Sequence, residues 1–167
     1  MRKTLLAFLC LAVLGVSANA HDAHAQVRFG PQASFGDDVD FGIGARALFP
    51  LKQFHERLEG VVSFDWFFPD SGAGMDWTYL EINANVAYSF PLSGSSSLRP
   101  YAGGGLNIAR SSIDFDLPGL RSTSDTEVGL NVLGGSKFGS GRLTPFAELR
   151  LELGGGEQFV ITGGFLF

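Results

Sequence analysis

The sequence is short of several things. Of 167 residues one is Cys, two are Met and three are His, and only 17% are charged. A single Cys excludes a disulfide scaffold. A net charge of −5 with no basic patch argues against nucleic acid as a partner. Past residue 20 no stretch approaches 18 continuous apolar residues, so the rest of the chain has no helical membrane span. What is abundant is Gly, with 23 residues, and Phe, with 16. Gly makes up about 7% of an average protein, and here its share is roughly twice that. Each Gly costs a helix about 1 kcal/mol, which argues against a helical bundle or a coiled coil. A chain that is 45% hydrophobic and 13% aromatic is too apolar for disorder. The length fits one domain.

Residues 1–20 read as a secretory signal peptide. Arg2 and Lys3 form a positive start, Leu5 to Val16 a short apolar core, and Ala18-Asn19-Ala20 a small-residue cleavage site. Ala23-His24-Ala25 is a second such site, so cleavage after Ala20 and after Ala25 both stand open. The apolar core is shorter than the roughly 20 residues of a membrane helix. Cys10 lies within it, so the mature chain is expected to have no Cys, as suits an oxidising compartment.

From residue 27 to 167 the chain alternates between apolar and polar residues, the pattern of an extended strand with two unlike faces. Eight such segments are expected: Val27–Phe35, Val39–Phe49, Glu59–Phe68, Thr78–Phe90, Pro100–Ile108, Thr126–Phe138, Leu143–Leu153 and Phe159–Phe167. In the seventh, Leu143, Pro145, Ala147, Leu149, Leu151 and Leu153 oppose Thr144, Phe146, Glu148, Arg150 and Glu152. Globular strands average about 5–6 residues, whereas tilted transmembrane strands need about 9–11. The connections alternate in character. One set is Pro- or Gly-Ser-rich and short; the other is acidic and includes the longest loop, Ser111 to Asp125.

Eight long alternating strands make a soluble barrel if the apolar face points in. They make a membrane barrel if it points out. Three observations favour the second. The polar faces mix Gly, Ser and Asn with charges of both signs, as suits a narrow interior. Arg46, Glu81, Glu127, Lys137, Glu148, Arg150 and Glu152 are expected to form that interior network, with Glu148 and Arg150 as a pair along one strand. Aromatics gather near strand ends, as in the girdles of membrane barrels: Phe49, Trp66, Phe67, Phe68, Trp77, Tyr79, Tyr88, Phe90, Tyr101, Phe138 and Phe167. Finally, the last strand alternates up to a terminal Phe.

The export signal, the eight strands, the terminal Phe and the opening Pro100-Tyr101-Ala102-Gly103-Gly104-Gly105 together resemble the small outer-membrane β-barrels of Gram-negative bacteria. These are the outer-membrane protein A/X-like and opacity-like barrels. The resemblance implies an all-β fold, an eight-stranded antiparallel up-and-down transmembrane barrel over residues 27–167. It implies termini in the periplasm, outer-membrane lipid and lipopolysaccharide as surroundings, and a monomer. It also implies that Phe159, Ile161, Gly163, Phe165 and Phe167 form the signal read by the barrel assembly machinery.

Little in the sequence points to catalysis. His21 and His24 lie beside the cleavage sites and His55 in a short turn, so no His serves a Ser-His-Asp constellation at an outer rim. No Cys/His set has metal-ligand spacing, and Gly103-Gly104-Gly105 is followed by neither Lys nor Ser/Thr of a phosphate loop. No cofactor and no metal is expected. Function is expected in the long outer loop, with Ile113, Asp114, Phe115, Asp116, Leu117 and Arg121 as candidate binding residues. The reading is a non-enzymatic outer-membrane barrel with a structural or surface-interaction role. Two alternatives stand beside it: a channel for small solutes or hydrophobic compounds, and a soluble periplasmic ligand-binding barrel.

Overall fold

The structure is a computed structural model that describes residues 27–70, 75–92, 97–115, 122–139, 141–154 and 157–167. The expected signal peptide lies outside the described residues. Eight strands are present: β1 (Arg28–Gly36), β2 (Asp40–Pro50), β3 (Leu58–Phe67), β4 (Met75–Ser89), β5 (Leu98–Phe115), β6 (Thr123–Phe138), β7 (Thr144–Leu153) and β8 (Gln158–Leu166). Each pairs antiparallel with the next, and β8 pairs with β1 to close the barrel. Closure leaves no free edge along the wall, which is what lipid requires of a sheet.

The ring closes with a stagger. Partners traced from Pro50 run through Glu59, Ala87, Gly103, Leu133, Arg150, Val160 and Gly36 and return to β2 at Asp40, ten residues away. With a rise of about 3.3 Å per residue and a strand spacing of about 4.8 Å, that stagger tilts the strands by roughly 40°. At this strand number side chains fill the interior.

The alternation resolves as a membrane barrel's does. Phe29, Phe41, Ile43, Phe64, Ile82, Val86, Leu106, Leu130, Val132, Leu149, Leu151, Ile161 and Phe165 are all exposed on the outer wall. So large a contiguous apolar surface is foreign to a water-soluble monomer. Trp66 stacks on Phe68 with ring centroids 5.5 Å apart, and Tyr88 meets Phe90 at 5.3 Å. These two aromatic pairs sit near opposite ends of the wall. From Leu80, the partner of Trp66, to Tyr88 the strand β4 advances eight residues. At the derived tilt this is roughly 20 Å of height, close to the ~25 Å apolar band of such barrels.

Four expected girdle aromatics point inward instead. Phe67, Tyr79 and Tyr101 are buried in the interior, and Trp77 packs against the cluster that holds Phe67 and Tyr79. Their positions near strand ends were right, but their parity places them on the inner face.

β5 and β6 also depart from expectation. β5 continues to Phe115 and β6 begins at Thr123, so most of the expected loop Ser111 to Asp125 is strand. Apolar alternation stops near residue 108 because the outer face leaves the apolar zone there, while the backbone ladder goes on.

Candidate functional site

The alternation that turns apolar side chains outward turns polar ones inward, and a ring this narrow forces them together. Arg46 on β2 donates Nη1 and Nη2 to the two oxygens of Glu148 on β7, at 3.0 and 2.9 Å. Its guanidinium lies 4.0 Å over the Phe146 ring, and Tyr101 Oη donates to Glu148 at 2.8 Å. Arg150, two residues further along β7, serves three carboxylates. Nη2 donates to Glu81 at 2.7 Å and Nε to Glu152 at 2.6 Å, and Asp65 Oδ2 lies 3.8 Å from Nη2. All four side chains are at most 1% exposed.

Amides and hydroxyls complete the centre. Asn107 Nδ2 donates to Glu152, and Gln158 Nε2 bridges Glu81 and Glu152. Asn131 Nδ2 donates to the side-chain oxygens of Asn83 and Asn85. Gln32 and Ser34 both donate to Asp65 Oδ1. Buried charge is tolerable only when paired and hydrogen-bonded in this way.

Six of the seven expected network residues are therefore inside. Glu127 is the exception: it is exposed on β6 opposite Ala109, above the level where β7 ends. The expected Glu148–Arg150 pair is also replaced. Arg46 from across the barrel takes both oxygens of Glu148, and Arg150 turns instead to Glu81 and to its other neighbour on β7, Glu152. Lys137 reaches Glu59 on β3, apart from the central cluster. Asp65, Glu59 and Gln158 were missed. Asp65 and Glu59 had the right parity, but cross-barrel proximity follows from the register and is not visible in one strand.

Two apolar layers seal this centre. Toward the end with the termini, Leu48, Val61, Ala87, Tyr101, Leu133, Phe146 and Leu166 form a ring, one residue from each of β2 to β8. Toward the other end stand Val39, Phe67, Tyr79, Ala109 and Val160, with Trp77 against them. Beside Arg46 and Tyr101 a void of about 10 Å³ remains, room for about one water. Between the two layers side chains fill the interior, as eight strands require. The alternative of a soluble barrel is overturned by polarity, since the apolar face points out and the charged face in.

The wall is uneven in height. β3 ends at Phe67 opposite Tyr79, and β7 ends at Leu153 opposite Leu130. Between them β4, β5 and β6 rise further, pairing Met75 with Phe115, Trp77 with Ile113, Ser111 with Asp125 and Ile113 with Thr123. Trp77 Nε1 donates to Ser111 Oγ at 2.9 Å. Of the expected binding residues, Ile113, Asp114 and Phe115 stand on this raised sheet as strand. Asp116, Leu117 and Arg121 lie outside the described residues. Met75, Trp77, Ile113 and Phe115 share its inner face, each half-buried. Asp76 and Asp114 face each other on the outer side, and Asp125 and Glu127 are exposed on β6. From Thr123 to Gly129, β6 has no β7 partner.

Neither a protein-family model nor a curated protein sequence matches the chain. Solved structures do. The N-terminal β-barrel domain of Pseudomonas aeruginosa OprF matches with a TM-score of 0.62 at 16% identity, over 84% of this chain and 96% of that one. This is the fold of the small outer-membrane β-barrels. Neisserial surface protein A has the same outer-membrane barrel fold, with a TM-score of 0.57 at 19% identity, over 84% of this chain and 91% of that one. Ail, the attachment invasion locus protein of Yersinia pestis, gives 0.56 at 13%, over 84% and 93%. A structure of Ail in complex with the heparin analogue sucrose octasulfate gives 0.55 at 14%, over the same shares.

Proposed function

We propose that the chain is an exported, non-enzymatic outer-membrane barrel that interacts with other molecules through its raised β4–β6 sheet. The observation that carries this is the sheet itself: three strands outlast the wall, and among the described residues the β7-side edge of β6 has no strand partner above it. An open edge is a template for an added strand. Its acidic neighbours Asp76, Asp114, Asp125 and Glu127 favour a basic partner in extended conformation. That sets it apart from Ail, whose structure was solved with an anionic heparin analogue. Phospholipid would surround the end with the termini and lipopolysaccharide the raised end, with the barrel as a monomer.

Fractionation tests location: the protein is expected in the outer membrane, in a form whose gel mobility changes on heating. Recovery as a soluble periplasmic monomer overturns the reading. Binding of a Lys-rich extended peptide to the barrel in lipid nanodiscs tests the sheet. The variant Asp114→Asn/Asp125→Asn/Glu127→Gln should bind at least tenfold more weakly, about 1.4 kcal/mol, with barrel unfolding unchanged. Equal binding by the variant, or a preference for heparin, refutes the assignment.

Assembly is a second part of the proposal. Phe159, Ile161, Gly163, Phe165 and Phe167 all lie on the outer side of the last strand, where assembly machinery would meet them. Deleting Phe167 should lower the folded outer-membrane fraction severalfold, as read by heat-dependent mobility. An undiminished fraction would remove this role.

A further inference from the structure

The end of the barrel that carries the termini has a charge imbalance inside its mouth. Arg99 on β5 and Lys137 on β6 are direct cross-strand partners on the inner face. Like charges in that position repel. Arg28 on β1 also faces in, and its charge is close enough to repel both. Among the described residues one side-chain carboxylate serves the group: Glu59 on β3, which pairs with Lys137 and accepts from Ser89 Oγ at 3.3 Å. Among the described residues neither Arg28 nor Arg99 forms an ion pair with a carboxylate. Among the described residues Arg28 Nη2 reaches the Leu166 carbonyl, at 3.5 Å, and Arg99 Nη2 the Gly139 carbonyl, at 2.8 Å. Arg99 Nε is buried with no partner.

Among the described residues three cations thus share one anionic side chain at a half-open mouth, below the ring that Leu48, Tyr101 and Leu166 help to form. The arrangement is unlike the sealed centre, where every guanidinium has its carboxylate. Repulsion among Arg28, Arg99 and Lys137 is relieved only if a further negative group joins them. Two planar guanidinium forks beside an ammonium suit an oxyanion with several acceptor oxygens.

We propose that Arg28, Arg99 and Lys137 form an anion site at the terminal end of the barrel, which takes a phosphate-bearing group. The phosphate could come free in solution or on a phospholipid headgroup of the leaflet at this end. Only the headgroup source rests on the membrane reading above.

The test uses the mature chain folded into phosphatidylcholine bilayers, unfolded by urea in phosphate or in chloride at equal ionic strength. A parallel arm replaces part of the lipid with phosphatidylglycerol in chloride. With phosphate at about a hundredfold excess over its Kd, the urea midpoint should rise by roughly 1 M. A rise in phosphate alone assigns the free ion, and a rise with phosphatidylglycerol alone assigns the headgroup. Arg28→Gln/Arg99→Gln should lose the response. In chloride its midpoint should equal or exceed the wild type, because repulsion is relieved. A purely structural role for the arginines predicts a lower midpoint. If the double variant fails to fold, Arg99→Gln alone should halve the response or more. Equal wild-type midpoints in all conditions overturn the site.

Discussion

Replacing Arg150 by Met should be among the most damaging single changes in the barrel. Unfolding free energy should fall by at least the 3–5 kcal/mol typical of an orphaned buried charge. The reason is the ratio of charges. Glu81, Glu152 and Asp65 converge on this one guanidinium, and none of the three has another cation within ion-pairing distance among the described residues. Removing it leaves three carboxylates between two apolar layers without their counter-charge. Met fills much of the same volume, so the loss reports charge rather than a cavity.

Arg46→Met should cost less, because it orphans only Glu148, which keeps its bond from Tyr101 Oη. Neutralising the acids together with the cation, in Arg150→Met/Glu81→Gln/Glu152→Gln, should recover a large part of the loss. Urea unfolding followed by the fluorescence of Trp66 and Trp77, together with heat-dependent gel mobility, measures all three. A cost for Arg150→Met within about 1 kcal/mol of wild type would mean that the interior is hydrated enough to screen the acids.

The contrast between these two arginines marks how far the sequence could be read. The alternation of Leu143 to Leu153 placed Glu148, Arg150 and Glu152 on one inner face, and it did so correctly. Periodicity specifies a face because side chains on a strand have a period of two. It does not specify partners, which depend on register and on a barrel diameter fixed by all eight strands together. So Glu148 was assigned to its strand neighbour and found across the barrel with Arg46. The inward Phe67, Tyr79 and Tyr101 follow the same rule: aromatic character suggested a girdle, but parity decided. The raised sheet was least legible. Ser111, Ser112, Thr123 and Ser124 look like loop residues to a pattern tuned to lipid, although the strands there stand above the apolar band and need no apolar period on their outer face. The acids of that sheet, Asp114 and Asp125, have no need of register and are legible in the sequence as an acidic loop.

Gly30→Val should prevent β1 and β8 from closing normally. The two strands pair from Gln32–Gly164 to Gly36–Val160. The next residue of β1 is Pro31, which has no N–H to give, so the ladder stops there. In the same register Pro31 stands opposite Phe165, whose other neighbour on β7 is Pro145. Beyond this gap a single backbone bond, Phe167 N–H to the Phe29 carbonyl at 2.8 Å, holds the end of the seam. The Phe165 carbonyl instead lies against Gly30. A Cβ at residue 30 would be 1.6 Å from that oxygen and 2.6 Å from its carbon. These are backbone atoms, so no side-chain rotation relieves the overlap. Either β8 shifts outward and breaks the Phe167–Phe29 bond, or β1 leaves the ring. The cost should reach or exceed the upper end of the usual range for overpacking, about 1–3 kcal/mol. Gly134→Ala is the control: it sits in an ordinary stretch of β6, and its Cβ would come no nearer than 3.9 Å to the Tyr101 carbonyl. It should be neutral or slightly stabilising, because Ala loses less chain entropy on folding than Gly. Loss of the fast-migrating folded form in Gly30→Val but not in Gly134→Ala locates the vulnerable seam between β1 and β8. Equal folding of both variants would mean that β8 has room to move there without opening the barrel.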